Sequence, residues 1–243
     1  MRSTIELIRL SLKDYKQEAA TLIGYSTWIL LPFAAFVLLS LLPLSPIVQL
    51  LAFLLMVAEL FFVIWVSITI ALHAFAHIHG HPKNTDTLSA KARSLMAPIL
   101  SVILLQLLVL IGGFFLLVIP MFIFVIWFGM SQFMVIFEEK RGLDALNASH
   151  TLVKGRFWPA AALIVGGPLI ILLIYSLILS VIITIISVAQ GVDTVELLLG
   201  ELPLWINVLE TVGEVLLLPL LMVYFTYVYL ELKNTHATID ITS

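Results

Sequence analysis

The chain has 243 residues, of which 62% are hydrophobic and 11% charged, and its mean hydropathy is +1.16. That composition excludes an ordinary soluble domain, and the absence of cysteine excludes disulfides and thiol chemistry. The formal charge of −3 says little alone, because the charges are segregated from long apolar runs.

Roughly 20 apolar residues cross a bilayer, and several runs reach that length. We expect an all-α, polytopic transmembrane helix bundle forming a single integral membrane domain over 1–243. Its six spans fall at about 21–42, 47–72, 94–111, 120–137, 158–189 and 204–230.

Residues Ser3 to Ala20 read as an amphipathic helix with capping-box spacing between Ser3 and Glu6. Ile5, Ile8, Leu12, Tyr15 and Ala19 form one stripe, edged by Arg9, Lys13 and Lys16, while Leu7 and Leu10 fall off it. Two readings stand: a basic helix lying along the headgroups, or the solvated first turns of the next helix. The first apolar run starts near Thr21 behind an acid-containing segment, so it reads as a span and not as a cleaved leader. Pro43 and Pro46 turn the chain outside. The second span runs through Leu72 and can continue to His77, before a loop from His79 to Thr87. Gly112 and Gly113 are expected to break the third span, and Pro120 to open the fourth. The apolar stretch from Phe114 to Ile119 is an outer turn sunk into the interface.

Glu138 to Phe157 is a charged interlude with helical spacing. Leu143, Leu146, His150 and Val153 share a face, and Lys140 can pair with Asp144. Gly166, Gly167 and Pro168 are expected to kink the long fifth span. Asp193 and Glu196 precede a short interfacial helix at Leu197 to Leu199. Each odd-numbered span follows a basic, helix-compatible segment. Either three helical hairpins repeat, or the topology alone imposes that look.

The cations fix an orientation. Arg2, Arg9, Lys13 and Lys16 precede the first span; Lys83, Lys91 and Arg93 separate the second and third. Lys140, Arg141, Lys154 and Arg156 separate the fourth and fifth, and Lys233 follows the sixth. With six crossings they share one side, leaving Asp193, Glu196 and Glu201 outside, so both termini are expected in the cytoplasm. Trp28, Trp158 and Trp205 suit the interfacial aromatic belt; Trp65 and Trp127 read as deeper packing residues.

Few residues offer chemistry. Glu59, Gln106, Glu210 and Glu214 are polar groups inside spans, each costing about 2.5–3.5 kcal/mol on insertion scales. No Lys or Arg lies at their depth, so they suit either proton or cation handling or neutral hydrogen-bonded glue between helices. His73 and His77, one turn apart, are a weak metal pair needing further ligands such as Asp86; the alternative is a polar helix end. No nucleophile set, phosphate loop or cofactor motif is found. Asn147-Ala148-Ser149 fits a glycosylation sequon on the cytoplasmic side, where it is idle.

From Ile119-Pro120 the chain continues through Trp127 and Glu138-Glu139 into E-x-x-G-x-x-A-L-x-x-S-x-x-L-x-K-G. There Glu139, Gly142, Ala145, Leu146, Ser149, Leu152, Lys154 and Gly155 hold the fixed places. This pattern resembles the membrane domain fused to some glycerophosphodiester phosphodiesterases and is similar to YciC-like bacterial membrane proteins. The resemblance implies a prokaryotic cytoplasmic (inner) membrane. It does not carry over hydrolase activity, which in fused members belongs to a soluble barrel needing about 250 residues. The motif residues are then architectural, with headgroup or partner contacts from Lys140, Arg141, Lys154 and Arg156. The expected function is a non-enzymatic, lipid-interacting or scaffold protein without cofactor; the alternative is a transporter or channel subunit using the intramembrane carboxylates. Membrane lipids are the expected partners, a protein or a second copy of the chain is open, and nucleic acid is not expected.

Overall fold

The computed structural model describes residues 1–82, 84–116, 118–191 and 203–242. Lys83, Asp193, Glu196, Glu201 and the helix expected at Leu197 to Leu199 lie outside them. The described residues are all-α, without strands. In chain order they form α1 (Thr4–Gln17), α2 (Ala19–Ser26), a 3-10 turn (Thr27–Ile29), α3 (Leu30–Ser40), α4 (Pro46–Ile78) and α5 (Thr85–Leu116). There follow α6 (Val118–Phe128), α7 (Ser131–Glu138), α8 (Gly142–Val153), α9 (Phe157–Ala161), a π-turn (Ala162–Gly166), α10 (Gly167–Gln190) and α11 (Leu204–Thr242). Six stretches are long and apolar enough to cross a membrane: Ala19–Ser40, Pro46–Ile78, Thr85–Phe115, Ile119–Glu138, Phe157–Gln190 and Leu204–Thr235. By helix length and hydropathy this is a multi-pass membrane protein.

Packing is uneven along the helices. The main buried cluster joins Ile64, Ile68 and Leu72 of α4, Ala92, Leu95 and Ile99 of α5, and Met134 of α7 with Leu146 and Leu152 of α8. Leu163 and Ile171 flank it from the π-turn and α10, and Tyr224, Val228 and Leu232 complete it from α11. These residues lie in the basic halves of the spans or in α8 beside them. At the other ends large apolar side chains stay exposed, among them Leu44, Ile47, Leu50 and Phe53, Leu104 and Leu108, and Leu173, Leu177 and Ile185. Helix length explains the asymmetry. The 33 residues of α4 rise about 50 Å, against a hydrocarbon core of about 30 Å. The surplus emerges into water, where burying apolar surface is favourable. Within lipid the tails are as apolar as leucine, and nothing equivalent draws the outer halves together.

Several local expectations need correction. The helix α1 does not lie flat. Its Arg2 amide donates to the Glu231 carboxylate and its Tyr15 hydroxyl to the Leu216 carbonyl, so it runs antiparallel along α11. Burial pushes the Tyr15 phenol above its usual value, in keeping with its donor role. The off-stripe Leu7, together with Ser11, faces the core, while Ile5 and Leu12 of the expected stripe are exposed. Helix α5 does not break at Gly112 and Gly113 but continues to Leu116. Gly113 instead admits a ring, since a Cβ there would stand 2.8 Å from Phe124. Helix α8 buries Ala145, Leu146, Ser149, Leu152 and Val153, whereas Leu143 is exposed and His150 half-buried. Lys140 pairs with Glu138 at 3.3 Å in place of Asp144.

The kink expected at Gly166-Gly167-Pro168 takes the form of the π-turn. A π-turn directs each carbonyl to the fifth following N–H, and Pro168 has none to offer Leu163. The Tyr224 hydroxyl fills the gap at 2.8 Å. Gly167 makes room, because a Cβ there would collide with that hydroxyl.

Candidate functional site

The three intramembrane acids line one groove. On α11, Asn207, Glu210, Thr211 and Glu214 recur at helical spacing and turn a polar stripe toward α3 and α4. Glu59 of α4 faces them, and Phe33, Phe36, Phe53 and Met56 supply apolar walls around about 640 Å³. By helical rise, Glu210 and Glu214 lie roughly 9 and 15 Å below the outer end of α11, and Glu59 roughly 20 Å below that of α4. None of the three carboxylates makes an ion pair among the described residues. From α10 the Tyr175 hydroxyl donates to the Glu210 carbonyl at 3.4 Å beside Gly213. Such a groove can hold a proton, a cation or the polar end of an amphiphile.

Gln106 stands apart from this groove. Its Nε2 donates to the Phe128 carbonyl at 2.6 Å, and its Oε1 accepts from Gln132 at 3.3 Å. Phe128 ends α6, where the fourth span breaks at Gly129 and Met130. A broken span must re-satisfy its backbone groups. Ser149 of α8 supplies the remaining partners, since its hydroxyl donates to the Trp127 carbonyl at 2.8 Å and accepts the Met130 N–H at 3.1 Å.

Other motif positions lie at helix ends and on packed faces. Pro120 lies in the first turn of α6. Glu139 adopts a left-handed conformation, φ 56°, and ends α7; its N–H donates to the Val135 carbonyl and that of Lys140 to Met134. Gly142 (φ 50°) and Gly155 (φ 79°) bracket α8, and Ala145 is fully buried against the core.

The cations proposed for headgroups have different fates. Glu138 holds Lys140 at 3.3 Å and Lys233 at 2.9 Å, and Glu139 holds Lys91 at 3.0 Å. Lys140 and Arg141 border an open cleft of about 880 Å³ with Asp144, Asn147 and Thr151. Lys154 is exposed. Arg156 is not available to headgroups. Its side chain is buried, and Nη2 donates to the Leu152 and Leu232 carbonyls at 3.0 and 2.8 Å, tying the end of α8 to α11.

His73 and His77 converge on Glu18, at the bend between α1 and α2, through contacts of 3.0 and 3.3 Å to its two oxygens. Beside them the Tyr227 hydroxyl donates to Asp14 at 2.5 Å. Among the described residues no group of three or more His, Asp or Glu is arranged to hold a metal. His79 instead stacks on Phe75 and His81 on His79. The sequence reading missed Glu18, whose polarity placed it with the surface helix.

No family model, curated protein or solved structure matches this chain. The likeness to the phosphodiesterase-associated membrane domain therefore rests only on the motif residues above, whose places in the fold are structural.

Proposed function

We propose that this is a non-enzymatic, lipid-interacting protein of a prokaryotic cytoplasmic membrane, with both termini and the packed helical head in the cytoplasm. One observation carries the reading. The spans pack at their basic ends and splay at the others, leaving a groove of about 640 Å³ with aromatic walls between α3, α4 and α11. In a bilayer such space is filled by lipid. The cytoplasmic cleft at Lys140 and Arg141 suits a protein partner, because opposite charges alternate around its rim. The test is native mass spectrometry after mild extraction from native membranes. Phospholipid should stay bound through delipidating washes, and a protein that sheds all lipid while remaining folded contradicts the proposal.

A second reading is a proton or cation pathway, favoured by the gathering of Glu59, Glu210 and Glu214 in that same groove without a counter-cation. Here Glu59→Gln should lower proton or cation flux in proteoliposomes. Undiminished flux in all three single Gln variants removes the pathway.

A further inference from the structure

Trp28, Phe61, Phe62, Trp65 and Met96 form a cup of about 280 Å³ between the 3-10 turn, α4 and α5, with Arg93 as its only charged wall. The Trp28 and Trp65 rings meet edge to face at 6.3 Å. The Trp65 indole N–H donates to the Ser89 carbonyl at 3.4 Å and fixes that ring against α5. Trp28 is half exposed, so the cup opens sideways to the bilayer.

Helical rise gives its depth. On α5, Ser89, which holds the Trp65 ring, lies about 40 Å from the outer end, Arg93 about 35 Å and Met96 about 30 Å. Phe61, Phe62 and Trp65 lie about 23–29 Å from the outer end of α4. With a hydrocarbon core of about 30 Å, the cup straddles its inner edge and Arg93 stands at the headgroups. The neighbouring Lys91 is held by Glu139, whereas Arg93 is exposed and makes no ion pair among the described residues.

We propose that this cup binds one anionic phospholipid of the inner leaflet, its phosphate on Arg93 and the upper part of one acyl chain against the aromatic rings. Charge complementarity and depth together select the occupant. A guanidinium recognises phosphate with paired donors, and an apolar cup directly below it takes a chain. The inference rests on the lipid-interacting reading and moves the headgroup contact to a cation outside the motif segment.

The test uses full-length protein in phosphatidylcholine vesicles containing either brominated phosphatidylglycerol or brominated phosphatidylcholine, with quenching of tryptophan emission as readout. Trp127, Trp158 and Trp205 are replaced by Phe throughout, so that Trp28 and Trp65, which line the cup, carry the emission and report its occupancy. The wild type should favour phosphatidylglycerol. Arg93→Gln should reduce that preference about fivefold, the factor matching about 1 kcal/mol per cation near an anionic surface. Arg93→Lys should retain most of the preference, which separates lost charge from lost fold. A preference unchanged in Arg93→Gln overturns the site while leaving lipid retention intact. Equal quenching by both lipids in the wild type also overturns it. Failure of the broader reading shows instead as loss of all bound lipid in the mass spectrum.

Discussion

Replacing Ser149 by Ala should destabilise the protein far more than a hydroxyl deletion normally does. The side chain is fully buried and bonds two backbone groups across the break in the fourth span, the Trp127 carbonyl and the Met130 N–H. An orphaned buried polar group costs about 1–3 kcal/mol, and two are affected, so a total of roughly 2–6 kcal/mol follows. At about 2–4 °C per kcal/mol for a chain of this size, the apparent unfolding midpoint should fall by roughly 4–24 °C. The assay is thermal unfolding in detergent followed by tryptophan emission, at one scan rate because membrane proteins unfold irreversibly. Thr151→Ala is the control, since its exposed hydroxyl bonds only the Asn147 carbonyl within the same helix. A Ser149→Ala midpoint equal to that of Thr151→Ala would refute the stapling role.

Two neighbouring pairs of residues give further contrasts. Gly167→Ala should sharply lower yield and unfolding midpoint, because its Cβ would collide with the Tyr224 hydroxyl; Gly166→Ala, with open space at its Cβ, should be tolerated, as fluorescence-detected size exclusion can show. Arg156→Gln should cost about 1.5–3 kcal/mol through loss of charged hydrogen bonds to the carbonyls of two helices, while exposed Lys154→Gln should stay within about 0.5 kcal/mol. Equal unfolding midpoints for those two variants would return Arg156 to the surface.

The spans were readable because hydrocarbon imposes a simple rule on composition. Long runs without Lys or Arg, such as 47–72 and 158–189, became helices of 33 residues and of 24 preceded by a π-turn. What was hidden depends on which faces meet. Leu7 and Ile5 are equally apolar, yet only Leu7 is buried, because α1 stands beside α11. A lone sequence offers a stripe but not the partner that covers it. Gly112-Gly113 reads as a breaker by propensity, but a helix in lipid keeps its backbone bonds, and the smaller residue serves the approach of Phe124.

The polar residues divide in the same way. That Glu59, Gln106 and Glu214 could reach comparable depths followed from counting rise along helices; that Gln106 would leave the acids for the Phe128 carbonyl, while Glu210 joined their groove, did not. Arg156 looked like its neighbour Lys154 because composition carries no burial. Arg93 reads in the sequence only as one of the orienting cations, because its aromatic companions Trp65 and Trp28 stand 28 and 65 positions away, and only the fold assembles them.

The central claim is that six crossings gather the basic helix ends, and α1 and α8 with them, on one side of the membrane. The native chain has no cysteine, so single cysteines can be placed at will. Leu12→Cys, Leu44→Cys and Leu143→Cys are exposed positions at α1, the α3–α4 turn and α8. In intact cells a membrane-impermeant maleimide should label Leu44→Cys alone, and in inverted vesicles Leu12→Cys and Leu143→Cys but not Leu44→Cys. Labelling of Leu12→Cys and Leu143→Cys from opposite faces would contradict the account.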